Sequence, residues 1–308
     1  GTVAKDTSML FHSQVVGSYY ESACFIDGGG RTFVDVFEKA LRDANIEVIC
    51  GHKVARIHLD DNEAFASVEL ETADRLSANR CICTTHPKLM LEMMPENAFS
   101  PAYRRRISRL EETPSAVVLY GRCSSSFSGN LILANEPHDF ADCLNMPLEE
   151  RPLFISSPMK IATGSVGGTG FQPVNNYTHG QDGRATSVIC PATLADIPGS
   201  PDNESSGRPK GYKDWKKGVA DRLIHRISAC AKDLTGDFEL LDVATPLTFR
   251  ERLSSPEGGL YGVKHRLADF PLLPRTAVKG LYLSGQAMVA PGVLGALCAG
   301  FLTERFVV

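Results

Sequence analysis

The stretch GLYLSGQAMVAPGVLGALCAGFL, Gly280 to Leu302, carries no charge over roughly the twenty residues that a membrane span requires. Gln286, Pro291 and many glycines interrupt it, so it parses as a buried strand (Leu281 to Ser284), a turn and a buried helix from Gly292. Gly285 lets the turn form without a Cβ. The amides at the start of such a helix are unpaired and carry about half a positive charge, enough to hold a phosphate, a carboxylate or an electron-rich ring edge. Gly292, Gly295, Ala296, Ala299 and Gly300 suit equally a helix packed closely on a sheet, and spacing leaves both readings open.

Upstream lies TPLTFRERLSSPEGGLYGVKH, Thr245 to His265, dense in Pro, Gly and aromatic residues, which predicts a fixed loop. Gly258, Gly259 and Gly262 allow close approach to a planar ligand, with Phe249 and Tyr261 as ring faces; a two-glycine turn between strands accounts for the glycines as well. Near the other end, Gly28 to Gly30 turns the chain, and Thr32 with Asp35 reads as a capping box opening a helix to about Ala44 with the stripe Phe33, Val36, Phe37, Ala40 and Leu41. The preceding twenty-odd residues read as a helical or irregular lead-in that buries Tyr19 and Tyr20. Short apolar runs at Ile46 to Ile49, Val54 to Leu59, Phe65 to Leu70 and Arg80 to Cys83 predict a strand followed by a hairpin or meander.

From His86 the texture changes. Pro87 to Met94 and Pro101 to Leu110 are helical in pattern, and Ala116 to Tyr120, Leu153 to Ser156 and Ala185 to Cys190 read as strands of a second sheet. Residues 163–184 form a Gly-rich polar insertion, a solvent-exposed excursion that costs little stability. Trp215, Val219, Leu223, Ile227 and Leu234 recur at helical spacing until Gly236.

The whole chain of 308 residues, 43% hydrophobic and 22% charged, suggests about two ordinary globular domains. A net charge of −4 leaves no basic excess for a phosphate backbone, so nucleic acid is not an expected partner. Nine scattered cysteines without a CxxC encode neither a complete disulfide framework nor a zinc site, and the simplest compartment is the cytoplasm. No signal-peptide pattern opens the chain, which argues against secretion. GxSxG, HExxH, Walker A and EF-hand patterns are missing, and the glycine runs at Gly28 and Gly164 fail the GxGxxG template. No metal is assigned and no catalytic side chain stands out.

These pieces, in this order, resemble the phytoene desaturase and retinol saturase group of flavoproteins within the amine-oxidase-like FAD superfamily. Gly28-Gly29, the following helix and IEVICGHKVARI look like the family's block of GG, helix, strand and V-x-x-I, with Val54 and Ile57 as its V and I. TPLTFRERLSSPEGGLYGVKH is similar to its TP-x-T…P-x-G-x-YG segment, and GLYLSGQAMVAPGVLGALCAGF to its closing strand, turn and PG-x-x-GA-x-x-SG helix. The family's N-terminal strand-GxGxxG-helix has no counterpart, so the chain looks like a C-terminal portion, expected to be inactive alone.

The resemblance implies an α/β (mixed α+β) fold: a partial, discontinuous FAD-binding domain over residues 24–90 and 254–308, and a substrate domain of helices on a mixed or antiparallel sheet over 1–23 and 91–253. It places Val54 at the adenine end of FAD, Thr84 and Thr85 near the dinucleotide, Gly285 and Gln286 by the ribityl-pyrophosphate, and Gly292, Val293 and Leu294 at the isoalloxazine. Phe249 and Tyr261 would contact substrate. The implied chemistry is hydride exchange between an apolar isoprenoid polyene and flavin N5, which needs apposition and water exclusion more than a strong base. A lipid-dissolved substrate is compatible with peripheral membrane contact, although no basic amphipathic helix compels it. Two alternatives are a non-catalytic carotenoid-binding fragment and a flavoenzyme acting on an amine or a porphyrinogen.

Overall fold

The computed structural model describes residues 29–124, 129–134, 140–157, 184–199, 207–265 and 272–307, together with Met9, Ser13, Gly17, Tyr20 and Ile26. The inserted segment 163–184 lies outside the described residues apart from its last position, and so do Tyr19, Gly28 and Asp269. In chain order the elements are α1 (Gly29–Asp43), β1 (Val54–Leu59), β2 (Phe65–Leu70), β3 (Arg75–Ser77), β4 (Cys81–Cys83), α2 (Pro87–Met93), α3 (Pro101–Ser108), β5 (Ser115–Cys123), β6 (Gly129–Leu133), the short α4 (Phe140–Cys143), β7 (Leu153–Ser157), β8 (Arg184–Ala192), α5 (Tyr212–Thr235), β9 (Phe238–Ala244), α6 (Pro246–Leu253), β10 (Leu281–Leu283) and α7 (Gly292–Val307).

Strands β1, β2 and β3 form an antiparallel sheet, β4 pairs in parallel with β10, and the third sheet has the order β6-β7-β8-β5-β9. This is the expected mixed α/β architecture. Two main cores hold it together. The first joins Ile57, Phe65, Met90, Phe99 and Ile107 to Leu281, Leu283 and Met288. The second packs Leu119, Ile155, Val188 and Val243, from one face of the five-stranded sheet, against Val219, Leu223 and Ile227 of α5. The expected boundary at residue 90 falls within α2, and Leu91, Met94, Phe99 and Ile107 pack in the first core.

Several local expectations need correction. Residues 46–50 form no strand; Ile46, Val48 and Ile49 are exposed, and among the described residues no strand pairs with them. Helix α1 begins at Gly29, so Thr32 lies inside it and Asp35 pairs with Arg31 at 2.8 Å instead of completing a cap. Tyr20 is exposed, not buried. The meander is completed by β3, while β4 leaves it for β10. The first part of the expected loop at Thr245 is helical: Thr245 and Thr248 form a reciprocal capping box and Pro246 sits in the first turn. Strands β6 and β9 complete the large sheet at its two edges.

The closing helix resolves the small-residue stripe. Its buried face is Gly295, Ala299 and Thr303, and a Cβ on Gly295 would lie 1.8 Å from the Ala290 carbonyl oxygen. Thr303 Oγ1 donates to the carbonyls of Leu283 at 3.0 Å and Ala299 at 2.7 Å, tying helix to strand. Among the described residues no helix is long and apolar enough to cross a membrane.

Leu223 is fully buried in α5, whereas Lys217 on the same helix is exposed. Leu223→Ala should therefore cost about 2–5 kcal/mol in urea unfolding. Lys217→Ala, which removes an exposed pair with Asp221, should change stability by less than about 0.5 kcal/mol in the same measurement.

Candidate functional site

The site begins with the register of two strands that are distant in sequence. Leu281 pairs with Cys81, Tyr282 with Ile82 and Leu283 with Cys83, and the ladder continues as Ser284 N donates to Cys83 O at 3.0 Å. Both strands then end together, so the turn after β10 (Gly285, Gln286) emerges beside the turn after β4 (Thr84, Thr85). In open parallel sheets ligands bind in the crevice at the carboxyl ends of the strands. Gly285 has φ +97°, and a Cβ there would sit 3.5 Å from the Thr84 carbonyl oxygen.

A third wall comes from the segment after α6. Thr113 N donates to Gly262 O at 2.8 Å, Lys264 N to Glu111 O at 2.7 Å and Leu260 N to Pro114 O at 3.3 Å, so the glycine loop runs beside the residues leading into β5. Gly258 has φ +71°, and a Cβ would lie 2.4 Å from the Pro246 carbonyl oxygen, which requires glycine. Between the three walls lies a cavity of about 290 Å³, lined by Thr84, Thr85, His86, Arg252 to Ser255, Gly259, Gly262, Gln286 and Ala287.

Thr84, Thr85 and Gln286 are thus brought together, with Gly285 beside them. The other candidates lie elsewhere. Val54 opens β1 opposite Leu70. Gly292, with φ +82° and open space around it, starts the last helix, and Val293 and Leu294 are exposed there. Phe249 packs with Ala116, Val118 and Ala244. Tyr261 is half exposed, its amide donating to Thr113 Oγ1 at 3.0 Å. None of these borders the cavity.

The structure adds two residues that the motif search passed over, His86 and Glu112. Glu112 Oε2 accepts from Ser255 Oγ at 2.8 Å, Glu257 N at 3.1 Å and Gly259 N at 3.4 Å, and Glu112 Oε1 faces His86 Nε2 at 3.5 Å. His86 Nδ1 accepts from Lys88 N at 3.2 Å and so caps α2. Burial, reinforced by the Lys88 charge and opposed by Glu257, pulls the His86 pKa down to about 4. The imidazole is therefore neutral near pH 7. A sequence signal existed only for the cap, a polar residue before Pro87 at the start of an apolar helix. Burial and the neighbouring Cys83 push the Cys81 thiol up to about 11, which leaves it no thiolate for nucleophilic work. Among the described residues no three His, Cys, Asp or Glu side chains cluster as a metal site.

The cavity has the features a flavin cofactor needs. It offers glycine backbone free of Cβ at Gly262, donors and acceptors on Thr84, Thr85 and Gln286, and a cationic Arg252 in its lining. Its volume suits part of a cofactor lying in an open crevice. The residues fit such a group.

Residues 2–157, half of the chain, match the family described as flavin containing amine oxidoreductase. All-trans-retinol 13,14-reductase of Danio rerio is 21% identical over 329 residues, covering 98% of this chain and 52% of the reductase. Among solved structures, a double mutant of putrescine oxidase redesigned in cofactor binding superposes with a TM-score of 0.52 at 14% identity, covering 91% of this chain and 52% of that one. A triple mutant of the same oxidase gives 0.50 at 12% identity with the same coverage. The fold is shared with these oxidases, and the chain spans about half the length of the curated relative it matches.

The depressed pKa of His86 fixes the sign of an acid effect. Between pH 6.5 and about 4 the unfolded chain binds a proton that folded His86 refuses, so stability present above pH 6.5 is lost as pH falls. The loss should reach about 3 kcal/mol near pH 4. Urea unfolding at pH 7, 5.5 and 4.5 should show a shallower acid slope in His86→Gln than in the parent chain, and equal slopes would show that His86 titrates normally.

Proposed function

Because the chain belongs to the flavin containing amine oxidoreductase family, we propose that it carries the C-terminal part of an FAD site and a substrate surface for an apolar isoprenoid polyene. The observation that carries this reading is the parallel pairing of β4 with β10, which sets Thr84, Thr85, Gly285 and Gln286 around one glycine-walled cavity at two strand ends. A bound flavin supplies two-electron chemistry, accepting or donating a hydride. The protein's share is positional. Thr84, Thr85 and Gln286 hold the polar portion of the cofactor, Arg252 meets its negative charge, and Gly262 lets backbone lie against a ring. Gly292, Val293 and Leu294, at the start of the last helix, are assigned to the ring end, and Val54 to the adenine end.

The apolar substrate is supported by the five-stranded sheet. On the face turned away from α5, Ile132, Phe154, Ile189, Val118 and Ala244 form one row across the strands. Phe249 and Leu260 pack at its Val118 end, Phe154 and Ile189 are partly exposed, and Ile132 is open. A row of hydrocarbon side chains needs no charge to hold a polyene. The reading extends to a phytoene-dehydrogenase-related reaction in the complete protein and a dependence on further chain for full activity. The retinol reductase similarity favours a polyene over an amine.

The test is to add FAD to the purified chain, remove the unbound fraction by gel filtration and record the visible spectrum. Retained flavin supports the reading, and a chain that stays colourless at high FAD concentration counts against a site organised by these residues alone. Gly262→Leu places branched bulk where a Cβ is already 3.1 Å from Gln286 Nε2, and it should weaken FAD binding about tenfold or more. Ile132→Ala, on the sheet edge far from this loop, should leave FAD binding unchanged.

A further inference from the structure

The contacts that shape the cavity converge on a group with no part in the chemistry proposed so far. The Glu112 side chain is 0% exposed, and that of His86 is 6% exposed. One carboxylate oxygen gathers the Ser255 hydroxyl and the amides of Glu257 and Gly259, and so dictates the path of the loop that carries Gly259 to the cavity wall. Ser255 Oγ also lies 3.1 Å from the Gly259 carbonyl oxygen, which closes the loop on itself.

The other oxygen, Oε1, is buried without a hydrogen bond, and so is the His86 Nε2 that it faces across 3.5 Å. The ring cannot relieve this by changing tautomer. Its Nδ1 is committed as an acceptor to Lys88 N, so the proton sits on Nε2 and points at Glu112. A donor and an acceptor thus face each other about half an ångström farther apart than in a typical N–H···O hydrogen bond, and His86 itself lines the cavity.

We propose that Glu112 is a positioning residue that latches the Ser254 to Gly259 loop to the His86 wall, and that filling the cavity closes the His86–Glu112 gap into a hydrogen bond. Cavity occupancy and loop order are then coupled. Hydrogen bonds at functional sites are often long without ligand and tighten once it is bound. The coupling to cofactor rests on the flavin reading above, while the latch itself does not.

Glu112→Gln separates the elements of the latch with no change of shape. An amide offers one acceptor oxygen and one NH2; if the oxygen keeps Ser255, Glu257 and Gly259, the NH2 meets the His86 Nε2–H donor to donor. The first readout is amide hydrogen exchange in the full chain without cofactor. Exchange at Glu257 and Gly259 should quicken about tenfold in Glu112→Gln, while Val117 and Leu119 in the central strand keep their protection. Ser255→Ala removes a single donor and should quicken the same amides by a smaller factor, which keeps the test decisive if Glu112→Gln fails to fold. Unchanged exchange at Glu257 and Gly259 in a folded variant overturns the latch.

The second readout is the His86 Nε2–H proton resonance during an FAD titration. A downfield move on saturation, together with about tenfold weaker FAD binding by Glu112→Gln, is expected; saturation that leaves the resonance in place overturns the coupling. A purely structural Glu112 would not move that resonance. If neither parent nor variant binds FAD, the flavin reading and the coupling fall together, and the exchange rates alone decide the latch.

Discussion

Everything at the site depends on a parallel ladder between segments two hundred positions apart in the chain, Cys81 to Cys83 and Leu281 to Leu283. Bringing such distant strands together carries a loop-closure cost that the ladder alone is too short to offset. The offset comes from the side chains around it. Leu281 and Leu283 are buried with Phe65, Met90 and Ile107, and Lys279 O accepts from Phe65 N at 2.8 Å, so the meander supports the same junction. The Thr303 hydroxyl reaches down from the last helix to the Leu283 carbonyl, and Gly295 admits the Ala290 backbone. Once the register is set, the positions of Thr84, Thr85, Gly285 and Gln286 follow, because each lies one or two residues past a strand end.

The larger sheet meets this junction through backbone. Glu112 bridges to Val263, Thr113 donates both its amide and its hydroxyl to Gly262 O, and the chain then enters β5, whose two neighbours are β8 and β9. A separate buried ion pair keeps the far side of that sheet in order: Arg151 binds Asp196 through two nitrogens at 2.8 and 2.6 Å and donates to the carbonyls of Leu144, Met146 and Pro191. Such a satisfied arginine fixes connections between loops more than it adds stability. The glycine loop between the two sheets inherits its shape from both, since one of its anchors precedes β5 and the other follows α6.

Most elements were legible because their periodicities were strong. The α5 stripe ended at Gly236, whose φ of +64° and ψ of −149° suit only glycine, and the runs at Val54, Phe65, Ala116, Leu153 and Ala185 all became strands. The Ile46 to Ile49 run did not. Its composition is that of a strand, but strand formation is decided by a neighbour, which composition does not encode. The same blindness hid the change of partner at β4 and the edge strands β6 and β9, whose sequences GNLIL and FELLDVA are mixed in pattern. At the site, Thr84, Thr85, Gly285 and Gln286 were reached through motif resemblance. Glu112 was not, since one acidic residue in EETPS carries no signal until the loop it holds is in place.

That asymmetry follows from the kind of site this is. Motif searches find chemistry carried by reactive side chains at fixed spacing, and a cavity walled by glycine backbone at two strand ends has no such spacing. Its determinants are positive φ values and close approaches, at Gly258, Gly262 and Gly285, which sequence shows only as glycines among many. The polar group that shapes the wall is buried against Gly259, where a Cβ would lie 3.1 Å from Glu112 Oε2. Glu112 Oε2 accepts from a hydroxyl and two amides, donors whose direction the fold must supply, while Oε1 faces a neutral imidazole without bonding it. A carboxylate so held organises backbone, and backbone in turn forms the wall of the cavity.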